Sequence, residues 1–355
     1  MVDFFANYGL FLAKSVTVVA AIIVVIAGIA TLSGRNKSSA EGVLNIDSLN
    51  DTLEDMEDAL REAVLDNDLY KAQQKAEKKK LKQEAKARKK ALKKGEAPEE
   101  ESRRRVFVID FDGDIKASEL EPMREEITAI LTLATEKDEV VVRLESPGGM
   151  VHTYGLAASQ LERIKHQGVP LTVCVDKVAA SGGYMMACLA DKIIAAPFAI
   201  LGSIGVVAQL PNFHRLLKKY DVDYEVLTAG EYKRTMTVLG ENTEKGREKF
   251  IEDLEDTHLL FKEFVGEFRP QVDLEKVATG EVWFGRRSLE VNLIDELQTS
   301  DEYLIAACQD ADVFTVRYEY KKNLQERLSD MSIKTADSLL VRWLGRLTNV
   351  RLLAK

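Results

Sequence analysis

Cysteine is scarce in this chain of 355 residues: there are three, Cys174, Cys188 and Cys308. Three thiols cannot staple a small disulfide scaffold. No CxxC or HExxH occurs and histidines number four, so no metal site is expected. Seven prolines, 21 glycines and no short repeat exclude collagen-like, solenoid and low-complexity architectures. No cofactor signature is present. Net charge is small for the size, 49 basic against 58 acidic residues, or −9. That mild acidity argues against a general nucleic-acid binder, and no such partner is expected. What remains is a chain 46% hydrophobic, long enough for a large core.

The charge is unevenly spread. Residues 15–34 carry none and are rich in Val, Ile and Ala. As a helix, such a run spans about 30 Å, the thickness of a bilayer core. The apolar part of a cleavable signal peptide is shorter, so the run reads as an uncleaved single-pass anchor in contact with membrane lipid. Residues 41–70 hold ten acidic residues and one Arg. Leu49, Leu53, Met56, Leu60 and Ala63 recur there at helical spacing, predicting an amphipathic helix or a coiled-coil seam. Residues 71–94 reverse the sign, with twelve Lys/Arg against two Glu. They read as a solvated linker helix, with anionic lipid headgroups as the other candidate contact. Residues 35–105 thus form a charged helical stalk and linker. Residues 321–355 form a basic tail whose helical stretch would be amphipathic, suited to a membrane surface or a partner, with a loose tail as the third reading.

Between stalk and tail, residues 106–320 alternate short apolar strands with amphipathic helices. Strands are predicted at 106–111, 140–144, 171–175, 192–195, 222–227 and 314–320. Helices are predicted from Ser118, with Glu121 completing a capping box, and at 152–167, 181–189, 212–220, 243–268 and 300–309. The alternation predicts an α/β fold with largely parallel strands. Residues 193–213 lack formal charge, but Pro197, Gly202, Gly205 and Pro211 interrupt them. They read as core strands and turns rather than a second membrane span.

Two glycine-rich turns stand out as candidate chemistry. Glu145-Ser146-Pro147-Gly148-Gly149 follows a strand, and adjacent glycines let backbone N–H groups point into a site. Ala179-Ala180-Ser181-Gly182-Gly183 joins a strand to a helix and leaves Ser181 among small neighbours. Ser181 is either a nucleophile or a helix N-cap. A nucleophilic serine needs a base; His166 and His258 lie in charged helical sequence and read as surface residues, and neither His152 nor His214 has a clear orienting carboxylate nearby in sequence. A desolvated lysine can take that role. Lys233 follows an apolar stretch and is a candidate, although most lysines are simply exposed.

Taken together, four stretches resemble the Ser–Lys peptidases of the signal peptide peptidase A family. They are Leu144-Glu145-Ser146-Pro147-Gly148-Gly149-Met150-Val151, residues 176–187, Leu201-Gly202-Ser203-Ile204-Gly205-Val206 and Thr228-Ala229-Gly230-Glu231-Tyr232-Lys233-Arg234. The resemblance runs through nearly the whole chain. It implies a ClpP/crotonase-like fold of repeated ββα units and hydrolysis of short or unfolded peptides. It makes Ser181 the nucleophile, Lys233 the general base and Ser203 the residue that orients the lysine amine. Gly149, with Gly182 as second donor, supplies the oxyanion hole. The family also implies a homo-oligomeric ring, an octamer, in which Ser and Lys of one site come from neighbouring subunits. A location in the bacterial inner membrane follows. On the side of the membrane two arguments conflict: local positive charge puts the domain in the cytoplasm, and the resemblance puts it in the periplasm. The competing functions are a crotonase-like acyl-transfer enzyme and a non-catalytic membrane scaffold.

Overall fold

A computed structural model describes residues 42–66 and 103–320, besides Lys14, Val16–Val18, Lys79, Lys82 and Lys86. The expected anchor at 15–34, the basic segment at 71–94 and the tail at 321–355 lie essentially outside the described residues. Among the described residues no helix is long and apolar enough to cross a membrane. The chain divides into two units, Leu44–Tyr318 and the two ends, Met1–Val43 with Glu319–Lys355.

Strand β1 (Gly42–Ser48) leads into helix α1 (Leu49–Val64), capped by Ser48. Then follow β2 (Arg104–Asp112), α2 (Leu120–Leu131), β3 (Glu139–Glu145), α3 (Val151–His166), β4 (Leu171–Val175), β5 (Val178–Ala180) and α4 (Gly182–Ala187). Next come β6 (Lys192–Ala195), β7 (Ile200–Gly202), α5 (His214–Lys219), α6 (Glu244–Phe268) and α7 (Leu274–Val277). The chain continues through β8 (Val282–Phe284), α8 (Gly285–Glu290), β9 (Glu296–Leu297), α9 (Ser300–Asp310) and β10 (Ala311–Tyr320). The large sheet runs β1-β10-β2-β3-β4-β6-β9, and its pairings from β10 to β9 are parallel. A small sheet, β5-β7-β8, joins a parallel pair to an antiparallel one. The expected α/β fold with parallel strands is therefore present. Two strands precede a helix in β4–β5–α4 and in β6–β7–α5, whereas β2–α2 and β3–α3 have one each.

Period-two alternation splits the central strands between two cores. Phe107, Ile109, Phe111, Val140, Val142, Leu144, Leu171 and Val173 face the larger one. Helix α3 fills it with Tyr154, Ala157, Ala158, Leu161 and Ile164, spaced three or four apart. Val106, Val108, Val141 and Cys174 face the smaller core, under Leu304 of α9.

Four expectations need correction. No capping box forms at Ser118: Asp114 accepts the Ser118 backbone N–H at 2.9 Å and its hydroxyl at 2.8 Å, and α2 starts later, at Leu120. The local Asp turn outcompetes the helix cap. Residues 222–227 form no strand, because no neighbouring strand pairs with them and their apolar side chains stay largely exposed. Of residues 193–213, buried side chains occur only up to Ile204, with Pro197 and Phe198 exposed between them, and 207–213 are exposed. The predicted helix at 181–189 runs from Gly182 to Ala187. Strand β1 was not foreseen. Asn50, just beyond it, anchors α1 by donating to the carbonyls of Cys308 and Ala311 and accepting from the Val313 N–H.

Glu126 of α2 is 5% exposed and accepts the Tyr318 N–H at 2.7 Å, clamping the end of β10. Burial pushes its carboxyl up to about 7, with Glu119 and Asp110 adding to the rise, against the Tyr318 hydrogen bond and Arg317. A raised carboxyl pKa means that the folded state binds the proton more tightly than the unfolded chain does. Stability from this group is complete below the ordinary carboxyl pKa and is lost as pH rises through about 7. Wild type should therefore lose about 2–3 kcal/mol between pH 4.5 and pH 8 that Glu126→Gln does not lose. Urea midpoints of the two proteins across that range test this; parallel curves would refute it.

Candidate active site

The site is built where the two sheets meet. Past the end of β3, Ser146 bridges to Ala179 of β5. Its N–H donates to the Val178 carbonyl at 2.8 Å, and its carbonyl accepts the Ala180 N–H at 3.0 Å. The chain then turns through Gly148, whose φ of +87° suits glycine. A Cβ there would lie 2.8 Å from Ser181 Cβ and 2.7 Å from the Gly182 nitrogen, so the two glycine-rich turns touch. Gly149 is exposed, and Met150 ties down the exit by donating to the Ile115 carbonyl at 2.9 Å. Neither the Gly149 N–H nor the Gly182 N–H finds an acceptor among the described residues.

Strands β5 and β7 pair in parallel with Ala180 opposite Gly202. The next residue on each strand is a serine, so register alone sets Ser181 beside Ser203 at the carboxyl ends. Both serines adopt positive φ, 52° for Ser181 and 51° for Ser203. Ser181 donates its N–H to the Gly202 carbonyl at 2.8 Å, and Ser203 to the Glu281 carbonyl at 2.7 Å. Ser181 makes no side-chain cap to α4, so its hydroxyl is not consumed by the helix. The side chain therefore does not play the N-cap role. Both serines are partly exposed.

Lys233 lies elsewhere. It is exposed in the irregular chain after α5 and lines an open groove of about 780 Å³ with Leu210, Tyr224, Val226, Met236 and Val238. Within one chain it shares neither a hydrogen bond nor this groove with Ser181 or Ser203. Among the described residues no histidine hydrogen-bonds Ser181 or Ser203: His258 Nε2 contacts the Ile204 carbonyl at 3.2 Å, His152 and His166 are exposed, and His214 is half-buried at the start of α5. Among the described residues no cluster of potential metal ligands occurs.

Two further side chains shape the site without a functional signal in the sequence. Tyr154, wholly buried, reaches Ser146 from α3. Its position on the inward stripe of α3 gave a core signal only. Trp283 packs its Cδ1 against Gly202, where a Cβ would lie 2.9 Å away, and its buried Nε1–H has no acceptor among the described residues.

A family model described as peptidase family S49 N-terminal matches residues 3–161, and one for peptidase family S49 itself matches residues 163–314. The chain is 51% identical over 341 residues to "Probable protease SohB" of Haemophilus influenzae, covering 96% of each chain. It is 48% identical over 304 residues to "Probable protease SohB" of Buchnera aphidicola subsp. Schlechtendalia chinensis, 86% of this chain and 99% of that one. A longer relative, "Protease 4" of H. influenzae, is 30% identical over 219 residues, 35% of its own length. With these matches, the parallel α/β fold and its glycine-lined serine turn belong to a peptidase. The chain belongs to peptidase family S49.

The strained turn makes a separable prediction. Non-glycine residues in such conformations cost about 1–3 kcal/mol, and glycine relieves that cost while adding some unfolded-state entropy. Ser181→Gly should therefore be about 1 kcal/mol more stable than Ser181→Ala. Equal urea midpoints for the two variants would show that the turn stores no strain.

Proposed function

We propose that the protein is a membrane-anchored serine endopeptidase of the bacterial inner membrane that cleaves short or unfolded peptides with a Ser–Lys dyad. The observation that carries the reading is the Ser181 turn. Its hydroxyl does not cap the helix, its backbone is held at positive φ, and the N–H groups of Gly149 and Gly182, on the two touching turns, find no acceptor among the described residues. Ser181 Oγ attacks the peptide carbonyl, and Lys233 takes the proton. The N–H groups of Gly149 and Gly182 hold the oxyanion, and Ser203 orients the lysine amine. The leaving amine takes the proton from Lys233. Lys233 then activates the water that hydrolyses the acyl-enzyme.

The separation of Lys233 from Ser181 supports a shared site. A lysine base must be desolvated, and in the single chain Lys233 is exposed. A neighbouring subunit that brings its Ser181 to Lys233 supplies both the nucleophile and the desolvation. The segment around Lys233 also carries exposed apolar side chains, among them Val207, Tyr220 and Leu227 at 81%, 69% and 90% exposure. Exposed apolar surface of this extent suits a protein interface. A homo-oligomeric ring, octameric as in the family the chain resembles, satisfies both requirements and restricts entry to short or unfolded chains.

Ser181→Ala and Lys233→Met should each reduce peptide turnover by at least about a thousandfold. Refolding the two inactive variants together should restore part of the activity, because mixed rings contain sites with one intact serine and one intact lysine. Wild-type turnover in Ser181→Ala would refute the nucleophile. Two inactive variants that stay inactive when mixed, with rings formed, would refute the shared site.

A further inference from the structure

The glycine turn of Gly148–Gly149 is not self-supporting. A buried chain of hydrogen bonds holds it, and the direction of that chain follows from donor counting. The Asp114 carbonyl can only accept, and it lies 2.8 Å from the Tyr154 hydroxyl. Tyr154 therefore spends its single proton on Asp114. Ser146 Oγ lies 2.5 Å from that same hydroxyl, so Ser146 must donate to Tyr154. Its lone pairs are then available to accept the Gly148 N–H at 3.1 Å. The order runs Gly148 N–H, Ser146 O–H, Tyr154 O–H, Asp114 C=O. Ser146 and Tyr154 are both wholly buried, so water does not compete for these bonds.

The same tyrosine also meets the other turn. A Cβ on Gly182 would lie 2.4 Å from Tyr154 Cγ, so the ring lies directly against the residue after Ser181. Phe111 holds the ring from another side, edge to face at 6.4 Å. Tyr154 thus touches the turn bearing Ser181 with its ring and ties the turn bearing Gly149 with its hydroxyl, through Ser146.

We infer that Tyr154 and Ser146 are positioning residues of the peptidase: together they fix the distance between the Gly149 N–H and Ser181 at which the oxyanion is held. The inference rests on the reading of Ser181 as nucleophile and Gly149 as oxyanion donor. Neither side chain touches the reacting atoms. Each acts through the backbone that it holds, and the oxyanion is formed only as Oγ adds to the carbonyl. The effect therefore belongs to kcat and not to substrate binding.

The test uses Tyr154→Phe, Ser146→Ala and the double variant in the full-length protein, with a fluorogenic peptide that the wild type cleaves. Tyr154→Phe keeps the ring against Gly182 and removes only the hydroxyl. Ser146→Ala keeps the backbone bridge and removes the link. Each single variant should lower kcat about tenfold to a hundredfold, with KM within about twofold and a melting temperature near wild type. The double variant should be no slower than the worse single one, because either change opens the same chain. Wild-type kcat in either single variant overturns the inference, as does a rate loss that merely tracks the unfolded fraction. Ser181→Ala runs in parallel and keeps the two readings apart. If it still turns over, the nucleophile is wrong. If it is dead while Tyr154→Phe and Ser146→Ala keep wild-type kcat, only the positioning role falls.

Discussion

Ser146 is the joint on which the site hangs. A parallel sheet normally ends where its strands end, and β3 ends at Glu145. One residue further, Ser146 uses its backbone N–H and carbonyl to start the small sheet alongside β5. Its side chain, meanwhile, takes up the Gly148 N–H inside the core. A buried hydroxyl without partners is costly, and this one has two. Both glycine-rich turns are thereby referred to one point, and β7 is referred to it through β5. The core that encloses Ser146 is therefore part of the site's construction. Tyr154, one of the largest fully buried side chains, serves both.

The small sheet then sets the serines. Parallel pairing is a repeat of register: Ala180 opposite Gly202 obliges the following residues, Ser181 and Ser203, to sit side by side. Antiparallel β8 adds the third strand, and the residue before it, Glu281, holds the Ser203 N–H. A loop could not hold two neighbouring non-glycine residues at positive φ so cheaply. Here each strained residue has its N–H tied at 2.7–2.8 Å to a strand carbonyl or the residue preceding a strand. Strain of this kind persists only where surrounding contacts over-determine it.

Much of this frame was legible in the sequence, and the exceptions have physical causes. Runs such as Val140–Val141–Val142 and the three-and-four spacing along α3 depend on burial, which hydrophobic pattern reports directly. Strand β1 hid because its neighbours in sequence are acidic and helical, and its partner, β10, lies more than 260 residues on. The capping box at Ser118 failed because Asp114 takes the Ser118 N–H that Glu121 would accept and engages the Ser118 hydroxyl as well. Residues 222–227 have strand composition without a strand partner, so composition alone misled. At the site, the glycine pairs announced two turns, but nothing local showed that they touch. That contact is between Gly148 and Ser181, 33 positions apart, and it exists only because β3 passes its chain to β5. From its local sequence Ser181 reads more readily as an N-cap, since serine serves both roles. The structure separates them, because its side chain makes no cap to α4 and its backbone stands at positive φ.

Lys233 marks the limit of what one chain can express. Its own segment is held locally: Lys245 pairs with Glu231, and Lys245 and Lys249 both lie over the Tyr232 ring. Asn212 fastens the start of the segment to the Thr237 and Gly240 carbonyls. The segment therefore has a shape of its own without packing its apolar side chains inside the chain that carries them. Order without burial is expensive, because fixed residues lose conformational entropy and gain little hydrophobic stabilisation in return. A segment in that state suits completion by an external surface. If that surface is another copy of the chain, the arrangement ties assembly to activity. On the proposed mechanism the lysine would then act as a base only where a second Ser181 turn arrives, and an unassembled subunit would hold its serine turn ready without a base beside it.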